Sequence, residues 1–573
     1  MIRNTSIEGC TSDDGGGAIA FYYHGTVAQT RIEGCSFVGN GGESRSGGGL
    51  YVFGSDRGEG YEKFLVSDSE LRENHAWSDG GGIFASGVDI RLERCSIVDN
   101  VVAPETPNPG TFSWTGGGGF SSYSGVFSLE DCEIVGNRVQ LNTTGDGMAR
   151  GGGVFYVEYT DLRAIKGPTI ARITDCEITE NEVAGPNADG GGVWLGSLLS
   201  PWGRASRLLD GSPFIPDMKE VGDRGSFVIE NSRVERNLVV AESRGAARGG
   251  GICVRVDSSA SGGVYVARTS VIGSEIASNL AFGDDSKGGG IWSNDFRENV
   301  EFEDLLVTNN LVEGSGGGIS LEGNVSAVTE PMSFQGVECW GNAAEGNGGG
   351  LHLRMTARDS LAFDTDFLLN VDNLDSWQNQ ADNGAGMFVD FDMTDADNAT
   401  FLDGAGVAVS GRLNSNVASG SGGGVFVKGS GPFRENLQFR SRATIDGNSA
   451  SNSGGGIRAQ SATVELDNAS LSGNSATWGG GISIYNFGEP ERESLFFESS
   501  IVNNTAGLEG GGACINSASV LMDACFIQGN GVGDGETYGD GGGLWSYGDG
   551  LEVRHSIIGG QHRLPRGRGL FHV

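Results

Sequence analysis

An all-β chain wound as a parallel β-helix solenoid of about sixteen rungs is the fold class predicted for this 573-residue sequence, and three recurring features predict it. The first is an asparagine closing stretches such as CSFVGN, CSIVDN, CEIVGN, CEITEN and CFIQGN, at Asn40, Asn74, Asn100, Asn137, Asn181, Asn237, Asn279, Asn310, Asn342, Asn379, Asn416, Asn448, Asn474, Asn504 and Asn530. These markers recur about every 35 residues, a period that signals stacked supersecondary units, each too small to bury a core alone. The second is a glycine cluster after each marker, as at Gly49, Gly82, Gly153 and Gly290. The third is the pattern that follows each cluster. GLYVF, GIFAS, GVWLG and GVFVK alternate with period two, the signature of strands and not of helices.

Each copy reads in order. One strand follows the glycines, a second such as VDIRLER leads on, and a third carries the apolar residue three positions before the marker: Phe37, Leu71, Ile97, Ile134 or Ile178. Ala or Val commonly stands two residues after the marker. Cys10 takes the marker's place in the first, imperfect copy, and at the far end Gly560 stands where asparagine is expected. The marker is expected at a turn, where asparagine tolerates left-handed backbone and stacked amides bond between rungs. Glycine is expected where the chain turns sharply and rungs approach closely.

The pairing of an apolar-x-x-Asn motif with Gly-Gly-Ala-Ile resembles the repeats of polymorphic outer membrane proteins. More broadly, it resembles right-handed parallel β-helix repeats of the pectin-lyase-like class. Phe37 with Asn40, and Gly16-Gly17-Ala18-Ile19, match the family motifs literally; other copies carry Ile, Leu or Val for Phe and Gly-Gly-Gly for Gly-Gly-Ala. The resemblance implies a right-handed solenoid and a surface-exposed or secreted, adhesin-like role. The membrane barrel that ends those proteins has no counterpart here.

Composition narrows the partner. A formal charge of −36 argues against nucleic acid, whose phosphates require Lys and Arg, and against an anionic membrane surface; with no apolar 18-residue span, direct membrane insertion by this chain is not expected. MIRNTSIEGC lacks the basic-then-apolar profile of an export signal and opens in mid-pattern, so a fragment or a subunit targeted from elsewhere is expected. A single domain over residues 1–573 is expected, with long loop insertions near 101–115, 138–150 and 197–225 and an irregular tail at 559–573.

Several residue sets are candidates for chemistry. The triple glycines lack the Lys-Ser/Thr and the helix of a phosphate loop and read as turns. Asp13, Asp14, Asp79, Asp189 and Asp540 precede glycines and are weak calcium candidates, with turn chemistry the more economical reading; no other cofactor is implied. Cys35, Cys95, Cys132, Cys176 and Cys525 lie five residues before markers where other copies have Ser or Ala, a small inward position without zinc spacing. Asp390 and Asp392, with Arg354 one rung away, are weak catalytic candidates. Glu322, Arg354, Asp390 and Lys428 alternate in sign at equivalent positions, so exposed ion pairs are the more economical reading.

Two residues past the glycines stand Tyr51, Phe84, Phe155, Trp194, Trp292, Phe388, Phe426 and Trp545, an outward aromatic stripe suited to stacking on sugars or packing on a protein. The competing reading is a secondary core beneath covering loops. Trp114, Trp202 and Phe214 in the insertions offer further apolar contacts. The function expected is therefore an extracellular or cell-surface rod binding carbohydrate or protein, with end-on or lateral self-association. A polysaccharide lyase or glycoside hydrolase of the same fold is the alternative and a phage or virus fibre the second alternative; catalysis is the less favoured class.

Overall fold

The computed structural model describes the chain apart from residues 14, 24–29, 42–45, 55–62, 105–113, 124, 142–146, 161–169, 200–225, 243–244, 257–267, 295–299, 325–331, 357–368, 393–405, 432–437, 487–492, 534–538, 549 and 564–573. Asp14, Trp202 and Phe214 lie outside the described residues, and of Trp114 only the backbone is described. Among the described residues every element is a β-strand and the strands pair in parallel, copy against copy. They form two compact units, Met1–Asn294 and Asp295–Val573. Each unit is a solenoid-like stack of repeats.

In the first unit one face is built from the strands that follow the glycines, from Ile19–Tyr23, Leu50–Gly54 and Ile83–Ser86 through to Ile291–Ser293. Their leading residues stand in register, Leu50 with Ile83, Phe120, Val154, Val193, Ile252 and Ile291, and all are fully buried. A second face takes two short strands per copy, such as Asp89–Glu93 and Ser96–Val98, and a third takes the brief strand after the marker, such as Val101–Val102. The core is the space these faces enclose. Burying each aliphatic side chain in it contributes about 1.5 to 3 kcal/mol. The second unit repeats the plan from Ile319–Asn324 to Leu544–Tyr547, except that the two second-face strands merge in Leu369–Trp377 and Gly406–Asn414.

Left-handed residues make the corners. Around Asn100 they are Arg94 between the second-face strands (φ 52°), Asp99 just before the marker (φ 53°) and Gly117 opening the next glycine cluster (φ 69°). The left-handed residue is thus the one before the marker, not the marker itself. The other glycines answer to close approach. A Cβ on Gly81 would lie 2.4 Å from the Gly118 carbonyl oxygen and 2.8 Å from the Val101 nitrogen.

The marker asparagines are buried and bonded to one another. Within the first unit the side-chain amide of each of Asn40, Asn74, Asn100, Asn137, Asn181 and Asn237 donates to Oδ1 of the next marker at 2.9–3.0 Å. The second unit holds the same column from Asn310 to Asn530. Each column ends on a substitute. The Cys10 backbone N–H donates to Asn40 Oδ1, while Gln561 accepts from the Asn530 N–H at 2.9 Å and donates to the Ile527 carbonyl at 2.7 Å. Gly560 is therefore the left-handed residue of that copy (φ 58°), and Gln561 does the marker's work one residue later than the spacing suggests.

The cysteine positions obey a similar rule. Cys35, Cys95, Cys132, Cys176 and Cys525 are buried thiols. Each donates to the carbonyl two residues earlier, as Cys176 does to Thr174, and Ser232 and Ser274 do the same with their hydroxyls. Ser232 Oγ also accepts the Cys176 N–H at 3.1 Å. Serine and cysteine exchange here because both are short and offer one X–H donor to that carbonyl, while Ala443 and Ala469 meet the size requirement alone.

Candidate functional site

The outward side of the glycine-led face carries the candidate aromatic residues in both units and the candidate charged residues in the second. In the second unit Glu322, Arg354, Asp390 and Lys428 stand in register on adjacent strands. Arg354 Nη2 donates to Asp392 Oδ2 at 3.0 Å, whereas Asp390 lies 3.9 Å from both Arg354 Nε and Lys428 Nζ. At 3.9 Å these two contacts are ion pairs without hydrogen bonds. Burial pushes the Asp390 carboxyl up, against the pull of Lys428 and Arg354. Beside this group His352 is buried, with Nδ1 3.0 Å from Ser320 Oγ and 3.9 Å from Glu322 Oε1, and its ring stacks on Phe388 at 5.6 Å. Phe388 in turn meets Phe426 edge-on at 5.3 Å. The catalytic candidates Arg354, Asp390 and Asp392 are thus brought together in one ion-paired cluster.

The aromatic stripe of the first unit is a continuous row. Ring centroids are separated by 5.4 Å between Tyr22 and Tyr51, 5.0 Å between Tyr51 and Phe84, 5.5 Å between Phe84 and Tyr123, 5.4 Å between Tyr123 and Phe155, and 4.8 Å between Phe155 and Trp194. Its environment changes along its length. Tyr22 is 54% exposed and Tyr51, Phe84 and Tyr123 are half-buried, but Phe155 and Trp194 are fully covered and Trp292 nearly so. Phe388 and Phe426 are buried too, while Trp545 is half-buried. Five of the eight stripe residues therefore belong to a secondary core.

In the first unit part of the cover is a fourth, small sheet of Trp114–Gly116, Met148–Arg150, Asn187–Asp189 and Ala247–Arg248. It sets the residue before each glycine cluster in register: Gly116, Arg150, Asp189 and Arg248, then Lys287 through a further bridge. Arg150 lies over the Trp194 ring at 4.7 Å and Arg248 over Trp292 at 5.2 Å. Asp189, fully buried, has the Arg248 guanidinium at 3.5 Å and that of Arg255 at 3.7 Å. The charged neighbours of this aspartate are guanidinium nitrogens and not the oxygens that calcium prefers. Cys253, in register between Trp194 and Trp292, is also buried, and burial drives its thiol far up, out of reach of ionisation.

The remaining acidic candidates are dispersed. Asp79 is buried and accepts from Ser78 Oγ, Tyr123 Oη and the Gly116 N–H. Asp540 is exposed and bridges Glu509, whose carboxyl is raised by burial and by Asp540 itself. Asp13 is exposed. Among the described residues no group of three or more His, Cys, Asp or Glu side chains is placed to hold a metal ion. Arg150, Arg248 and Lys287 escape a reading that follows the acidic residues before glycine, yet ARGGG, ARGGG and SKGGG stand at the same position as SDGGG and ADGGG.

No protein-family model, curated protein or solved structure matches this chain.

Proposed function

We propose that the chain is a right-handed parallel β-helix of about sixteen rungs, displayed outside the cell, that binds a polysaccharide along the open end of its aromatic row. The observation that carries this reading is the succession Tyr22, Tyr51, Phe84 and Tyr123, ring-to-ring neighbours on four successive copies that keep exposed surface. Aromatic faces spaced along a solenoid match a ligand that is itself a linear repeat, and each face contributes about 0.5 to 1.5 kcal/mol. The high acidic charge keeps such rods soluble and mutually repelling. Tyr51→Ala with Phe84→Ala is expected to weaken binding to soluble polysaccharides about tenfold or more in affinity electrophoresis, with unchanged far-ultraviolet circular dichroism. Equal mobility shifts for wild type and variant across acidic and neutral glycans would sink the proposal.

A lyase or hydrolase reading is favoured by one observation, the raised carboxyl of Asp390 between Arg354 and Lys428. Its expected result is release of unsaturated or reducing ends from an acidic polysaccharide, abolished by Asp390→Asn. Absence of release from the wild-type protein refutes it and leaves the binding reading standing.

A further inference from the structure

We infer that the first unit holds an oxyanion site between its small fourth sheet and the glycine-led face, at Asp189, Arg248, Arg255, Trp194 and Trp292. The inference starts from polar atoms that the fold buries without hydrogen-bond partners: Asp189 Oδ2, Arg255 Nη1, Trp194 Nε1 and Trp292 Nε1. Leaving such a group unmade costs about 1 to 3 kcal/mol each, so four together mark a place where something else bonds. Three of the four are donors. An indole N–H and a guanidinium N–H cannot accept, so the missing partner is rich in acceptors.

Charge points the same way. Asp189 stands between two guanidiniums at 3.5 and 3.7 Å, longer than charge-assisted hydrogen bonds of about 2.7 to 2.9 Å. Arg248 Nη1 donates to Asp189 Oδ1 at the long limit of a hydrogen bond, and Arg255 Nη1 makes none to Oδ2. Asp285, 3.7 Å from Arg248, is largely exposed and shared with Lys287 at 3.6 Å. The rim of the site reaches solvent, since the Arg248 and Arg255 side chains keep 20% and 33% of their surface while Asp189 and Trp194 keep almost none. Guanidinium forks match the paired oxygens of a carboxylate or sulfate, and Trp292, whose ring lies under Arg248, brings a neutral indole N–H donor. In a chain of charge −36, Arg248, Arg255 and Lys287 around Asp189 and Asp285 make a local cationic patch that favours an arriving anion.

The inference concerns a small anionic group and stands independently of the glycan reading. Its test is isothermal titration of the full chain with sodium sulfate and, separately, with galacturonate, each against sodium chloride at equal ionic strength. Saturable heat with one of the two oxyanions, weakened at least tenfold by Arg255→Gln and by Arg248→Gln, is expected. Sulfate alone, galacturonate alone or both would each support the site and identify whether it takes a tetrahedral or a planar group. Heat that never saturates, or saturates equally in both variants, overturns it. Tyr51→Ala with Phe84→Ala serves as the control: it is expected to leave the anion isotherm unchanged whatever it does to polysaccharide binding.

Discussion

Asn237→Leu is expected to lower the stability of the first unit by about 3 to 5 kcal/mol, seen as a fall in the urea midpoint of its unfolding. The Asn237 side chain donates to the Ile178 carbonyl and to Asn279 Oδ1 at 2.9 Å, and accepts from the Asn181 backbone N–H and side-chain amide at 3.0 Å. All of this is fully buried. Leucine keeps the volume but orphans partners on two neighbouring copies, and no water reaches them to compensate. Asn237→Asp keeps both acceptor roles and loses both donor roles, so a buried carboxylate would face the Asn279 carbonyl oxygen; its loss is expected to be at least as large at neutral pH. Asn452, which is exposed, supplies the comparison, since Asn452→Leu is expected within about 0.5 kcal/mol of wild type. A loss at Asn237 no greater than at Asn452 would remove the column from the account of stability.

The same column explains why so much of the architecture is readable in the sequence. A side chain that must bond to its own equivalent one copy away admits almost no substitute, so asparagine recurs where apolar positions drift among Phe, Leu, Ile and Val. Where the column ends, the constraint relaxes to amide chemistry, and Gln561 meets it from a longer side chain one position later. That substitution hides from a pattern built on asparagine. The glycine clusters are legible for a related reason, since backbone approaches such as that of Gly81 to the next copy's carbonyl leave no room for a Cβ.

The outward chemistry is less legible, and Trp194 shows why. Alternation along Val193–Leu199 assigns its direction correctly, away from the inward-facing Val193. Burial on that side depends instead on a second layer, which sequence periodicity does not encode. Arg150 lies over the Trp194 ring, and the strand that carries it lies outside the three-strand pattern of the copy. Tyr51 has the same orientation but remains half-exposed. Identical positions in the repeat therefore stand half-exposed in one copy and in the core in another. The cationic residues before the glycines were obscured differently: each is ordinary alone, and Arg150, Asp189 and Arg248 become a cluster only once register places them side by side.

Asp79 carries the other large effect, and its sign is opposite to that of a surface carboxylate such as Asp68, which Arg94 holds below its usual value. Asp79 accepts three hydrogen bonds, from Ser78, Tyr123 and Gly116, all of which favour the ionised form. Burial outweighs them and pushes its carboxyl up to about 6 from the ordinary 3.8. A carboxyl raised on folding binds its proton more tightly in the native state than in the unfolded one. Its contribution to stability is thus fully present below pH 3.8 and is lost as pH rises through about 6. A displacement of this size amounts to about 3 kcal/mol across the window. Asp79→Asn, with its amide donating to Ser78 Oγ and its oxygen accepting from Tyr123 and Gly116, is expected to match wild type near pH 3.5. It should gain about 3 kcal/mol relative to wild type by pH 7, measured as the difference between urea unfolding curves at each pH. Tyr123→Phe removes a donor to the ionised form and is expected to move the midpoint of that difference higher. Parallel stability profiles for wild type and Asp79→Asn between pH 3.5 and 7 would show that this aspartate titrates as an ordinary surface group, and that the corner beside Gly116 is open to water.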